Sequence, residues 1–221
     1  MKSHLLSQIS FGIMAGLAGI AGFAFPETAL AGKDAPPTIT VLVNNYSEAS
    51  PAMLAAAEHE AGRILGRAGL RAFWLECPVR PSTADPQPPC QKAPEATDIR
   101  LRILSASLPN KFQDSVFGFA IHPVLASVYY DYAVRQAKSA DTEFEVPIIL
   151  GCVIAHELGH LLLGSNGHSA AGIMQPRWKA SQIRQIMMGF LLFTADQSDR
   201  IRMEARARTK HQNLMSASSS P

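Results

Sequence analysis

The chain has almost no excess of charge of either sign: 20 Lys and Arg stand against 18 Asp and Glu, for a formal net charge of +2. Nucleic-acid binding needs a concentrated cationic footprint, so this balance speaks against a nucleic-acid partner, and an electrostatic role at a membrane surface lacks support for the same reason. There is no internal repeat. Cysteine is scarce as well, with three in 221 residues. What remains, 47% hydrophobic and 17% charged, suits one globular domain with a real core, and nothing suggests a second.

Part of that hydrophobicity sits at the N-terminus. Met1 to His4 is a short basic lead, Leu5 to Phe25 is largely apolar, and Ala29-Leu30-Ala31 is a small-x-small cleavage sequence. The segment 1–31 is therefore expected to be a secretory signal peptide, removed after Ala31, with the protein secreted or periplasmic and no stable membrane association afterwards. An uncleaved anchor is the rival, since the apolar stretch is about long enough to span a bilayer. Export changes how the cysteines read. Cys77 and Cys90 bracket a proline-rich loop and are expected to pair in an oxidising compartment. Cys152 is left over in an apolar setting and reads as a small buried hydrophobe rather than a nucleophile.

The informative stretch is Val153 to Gly164, continued by His168 and Met174. His156 and His160, four apart, lie one above the other on a single helical face and can share one small cation. Imidazole suits zinc, and a catalytic zinc site needs three protein ligands with the fourth position left open. Glu157 projects about 100° round the helix from His156. It is poorly placed to be a ligand and well placed to act as general base, later passing the proton to a leaving amine. A third ligand must come from outside the helix. Gly164 can end the helix and Gly167 lets the chain turn again, which brings His168 back toward the metal. The site residues are thus His156, His160 and His168 for Zn2+, and Glu157 for catalysis.

These residues resemble the metzincin clan of zinc metallopeptidases, whose pattern is His-Glu-x-x-His-x-x-Gly-x-x-His followed by a methionine-bearing turn. His156, Glu157 and His160 fit the first five positions; Leu163 stands where the glycine falls in that pattern and Asn166 where the third histidine falls. Gly164 and His168 come one and two residues later. The resemblance implies a helix longer by one residue, a wider return loop, Met174 beneath the metal, and peptide-bond hydrolysis. It also implies a substrate that is a peptide or protein in extended form, lying along an edge strand near the metal.

The rest of the chain supports an α+β fold: a zincin-like mixed, twisted sheet packed on a central metal-binding helix, with a mainly helical C-terminal part, spanning 32–212. Thr38–Val43 reads as a strand, Ser50 caps a helix that Gly69 ends, and Leu70–Glu76 returns as a second strand, favouring parallel pairing. His59 is expected to be exposed on that helix. Cys77 to Ala96 is loop, and Asp98–Leu104 alternates as a half-buried strand. Val116–Ile121 is expected to be a short edge strand, with His122 at its end reading as structural. Leu125–Tyr132 suits a strand, Val146-Pro147 opens the metal helix, and helices are expected over Ser181–Phe193 and Ala195 to about Thr209. A polar tail, 213–221, should fray, and a monomer is expected. Three rivals stay open: a zincin with a glutamate as third ligand, for which Glu204 is the candidate; a secreted module that keeps a zinc without turnover; and a domain with no metal.

Overall fold

The computed structural model describes residues 35–80, 88–105, 117–139, 145–164 and 167–218. In chain order these form β1 (Thr38–Tyr46), α1 (Pro51–Arg67), β2 (Arg71–Cys77), α2 (Pro88–Gln91), β3 (Asp98–Leu104), β4 (Gly118–Ile121), β5 (Leu125–Tyr129), α3 (Tyr130–Ser139), α4 (Val146–Leu163), α5 (Ala180–Met187) and α6 (Ala195–Ser218). The expected signal segment 1–31 lies outside the described residues, as do Val116 of the edge strand, Asn166 of the return loop and the last three residues of the tail.

The strands make one sheet in the order β2-β1-β3-β5-β4. β1, α1 and β2 form the expected crossover unit, paired parallel with Thr38 opposite Arg71. Ser50 caps α1 through its side chain, which accepts from Met53 N, and Pro51 opens the helix where a missing N–H costs nothing. β3 joins the other side of β1 in parallel, and β5 joins β3 in parallel. β4 runs antiparallel to β5 at the end of the sheet, with Gly118 opposite Val128. The fold is therefore a mixed α+β one, as the pattern of strands and helices predicts.

One face of the sheet is a run of alternating apolar residues, Ile39, Val41 and Val43 on β1 and Ile99, Leu101 and Ile103 on β3, all essentially fully buried. α1 and α4 cover it. The two helices approach so closely at Gly151 that a Cβ there would stand 2.6 Å from the Ala57 carbonyl. α4 is apolar on nearly every side because it is enclosed on nearly every side. It is long and apolar enough to cross a membrane, but 83% of it is buried inside the protein, as befits a core helix. Cys77 and Cys90 are joined, with Cα atoms 5.6 Å apart, and Cys152 is free and buried on α4. Burial pushes the Cys152 thiol well above its usual range, so it stays uncharged.

Three expected boundaries move. The strand drawn to Tyr132 stops at Tyr129, and α3 follows at once: Tyr132, Ala133 and Ala137 fall on the inward side of a helix, and Asp131 pairs with Arg135 one turn on. Aromatic residues favour strands in isolation, but here the Tyr132 ring sits edge-on to Phe117 with centroids 5.0 Å apart, and packing overrides propensity. The helix expected over Ser181–Phe193 ends at Met187, since Gly189 adopts φ 72° and turns the chain. The tail expected from Asn213 is helical as far as Ser218. α6 is tied down late in its length, with Gln212 accepting from Thr97 Oγ1 at 2.6 Å, so the turn beyond it continues a helix already held in place.

Candidate metal centre

α4 delivers the first two imidazoles. His156 and His160 sit one turn apart with their Nε2 atoms 3.1 Å apart. Two nitrogens sharing a tetrahedral zinc at about 2.0–2.1 Å would stand about 3.3 Å apart, so this spacing already matches one shared ion. Gly164 ends the helix at φ 80° and ψ −172°, an extended positive-φ conformation open mainly to glycine, and its N–H bonds back to His160 O at 3.1 Å. The chain then returns His168 to within 4.6 Å of the His160 ring and 5.5 Å of the His156 ring, centroid to centroid. One ligand atom from each of the three lies within 4.8 Å of the others. Closing that triangle around zinc asks for a shift of about 1–2 Å, and the exposed His168 has room to make it.

The ring of His156 is oriented from behind. Its Nδ1 lies 2.8 Å from Ile173 O; a carbonyl can only accept, so Nδ1 carries the proton and Nε2 turns its lone pair to the cleft. The indole N–H of Trp178 donates to the same carbonyl at 3.2 Å, and the Ile173 N–H donates to Leu192 O at 2.8 Å. The Phe117 ring stands edge-on to His156 at 4.6 Å and close over Trp178 at 4.2 Å. Met174 is fully buried and packs against α4 at Gly159. A Cβ on Gly159 would come within 2.6 Å of its sulfur, so the residue between Leu158 and His160 is glycine because the methionine occupies that space.

Burial, joined by the neighbouring His160 and His168 and opposed by the Ile173 hydrogen bond, pulls the His156 pKa down to about 3. Burial and His168 pull His160 down to about 4. Both rings are therefore neutral at neutral pH, the form that binds a metal. Glu157 is 2% exposed, and burial pushes its pKa up to about 8. Its Oε2 has no hydrogen-bond partner among the described residues. A buried carboxyl oxygen left without a partner among the described residues, beside three converging imidazoles, fits a site meant to hold a cation and a polar reactant, and the all-nitrogen donor set suits zinc.

The four residues open onto a cleft of about 700 Å³, walled by Phe117 to Ala120 on one side and by Leu161 and Pro176 on the other. His122 stands on its rim. Glu204, the alternative third ligand, is on α6 and is ion-paired with Arg208 at 2.9 Å; it is not part of the ligand cluster. His59 is exposed on α1, as expected. Sequence reasoning missed Ile173 and Trp178, because no spacing rule connects a tryptophan after Pro176 to a histidine more than twenty residues earlier. It also missed Glu58, which is on α1 and buried, with Oε1 unpartnered.

No protein-family model and no curated protein matches the chain. Among solved structures it is similar to a crystal structure of archaemetzincin from Methanopyrus kandleri, with a TM-score of 0.48 and 15% identity, over 76% of this chain and 96% of that one.

Proposed function

We propose that this chain is an exported zinc-dependent peptidase of zincin type, with His156, His160 and His168 as ligands and Glu157 as general base. The observation that carries the reading is the convergence of three imidazoles, two of them held neutral by burial, beside a buried carboxyl whose Oε2 has no partner among the described residues. Zinc bound there would supply Lewis acidity toward a substrate carbonyl and a water of lowered pKa.

The chain's own residues supply the rest. Glu157, favoured in its ionised form by a cation held by the three imidazoles, takes the proton of the attacking water at its carboxylate and returns it to the leaving amine. Ile173 O and Trp178 hold the His156 ring. Among the described residues β4 pairs only with β5, which leaves its other edge to offer backbone N–H and C=O groups to an extended peptide lying in the cleft. Phe117 and Leu161 make the cleft partly apolar and help to displace water around the reacting groups.

The test is hydrolysis of an unfolded protein by the purified mature chain, with metal analysis of the same sample. About one zinc per chain is expected, with cleavage that stops on chelation and returns with added zinc. Bound zinc without any cleavage would point to the non-catalytic module instead, and no zinc uptake would remove both readings.

A further inference from the structure

The cleft does not end at its rim. His122, Leu161 and Gly164 line both it and an adjoining cavity of about 400 Å³ that runs toward α6, where Arg200 and Glu204 form the charged wall. The two charges differ in how far they are committed. Glu204 accepts from Arg208 Nε at 2.9 Å, and Arg208 is itself 7% exposed and bonded to the carbonyls of Pro123 and Leu161; that acid is neutralised in place. Arg200 donates through Nη2 to Leu163 O at 2.8 Å, which fixes the guanidinium at the C-terminal end of α4. Its acidic neighbour, Asp196, stands 3.9 Å from Nη1 and is 81% exposed, so that contact is loose and screened.

Capping α4 accounts for one of Arg200's five N–H donors. The side chain is 42% exposed and faces a cavity whose acid is already paired. The cavity therefore presents a surplus positive charge and a preorganised planar donor group, with the His122 imidazole at its mouth. Such a set is matched by a carboxylate.

We infer that this adjoining cavity is a specificity subsite for a substrate carboxylate, held by Arg200 with His122 at the entrance. The inference rests on the peptidase reading, since it names what that cleft selects. The carboxylate can be an acidic side chain near the cleaved bond or the C-terminus of a short peptide.

Two sets of quenched fluorogenic peptides separate these sources. One is amidated at the C-terminus and carries Glu, Gln or Lys at each position flanking the cleaved bond; the other is uniform in sequence and ends in a free acid or an amide. Wild type is expected to prefer Glu over Gln at one position, or free acid over amide, by about two- to fivefold in kcat/KM, the upper part of the range for a partly exposed charge pair. The ratio should shrink in high salt, a measurement that needs no variant. In Arg200→Gln, which keeps a donor for Leu163 O, it should fall to about one, and Arg200→Lys should restore part of it. A flat profile in wild type, or a preference that survives Arg200→Gln, overturns the subsite while leaving the peptidase reading intact. No cleavage of any peptide removes both.

Discussion

Ile173 O carries two hydrogen bonds, from the ring that would bind metal and from an indole. Trp178→Phe would keep the ring packed against Phe117 and lose the N–H that helps fix this carbonyl. Outer partners of a ligating histidine typically change metal affinity tenfold or more; Trp178 is one step further out, so a fall of about two- to tenfold is expected in a chelator competition, with little change in fold. Glu58 gives a second test. Burial, with Glu76 nearby, raises its pKa to about 7 from 4.5. Between those values the folded chain keeps a proton that the unfolded chain releases, so this group makes stability fall as pH rises from about 4.5 to 7 and level off above. Melting curves of the metal-free protein should show that fall reduced in Glu58→Gln relative to wild type; identical pH slopes would contradict the assignment. The metal residues were legible because they lie close together in sequence on one helix and its return loop. Glu58 was not, since its burial depends on a strand whose approach a helical wheel cannot show.

At the level of elements, the strand-helix-strand start, the long apolar α4 and the alternating β3 were readable from composition, helix caps and stops, and period together. The strand-to-helix switch at Tyr130 and the length of α6 were not. The first depends on Tyr132 meeting Phe117, the second on Gln212 reaching Thr97, and both are contacts between distant parts of the chain. The crossing of α1 over α4 makes its own prediction. Gly151→Ala would drive a methyl into the Ala57 carbonyl and should cost about 1–3 kcal/mol in denaturant melts. Gly66, also helical, has nothing within 4 Å of where a Cβ would go, and Gly66→Ala should stabilise by about 0.5–1 kcal/mol. Equal effects from the two would mean that the helices do not meet as described.

For the molecule as a whole, α4 is enclosed by α1, the sheet and the helices around it, and only the stretch carrying His156, Glu157, His160 and Leu161 lines the cleft, with β4 the end strand of the sheet among the described residues. A metal shared by α4 and the return loop would tie the central helix to the segment that leads into α5 and α6, so chelation should lower the melting temperature of the loaded protein. Sequence could mark the centre of this arrangement because HExxH carries its own geometry. It could not show the adjoining cavity, whose walls come from His122, α4 and α6 together. The most direct measurement is turnover of an unfolded protein by Glu157→Gln against wild type, with zinc content determined for both. Glu157 is not a ligand and the amide is nearly isosteric, so zinc should stay near one per chain while the rate falls by about a hundredfold to ten-thousandfold. Equal rates in the two proteins would contradict the account.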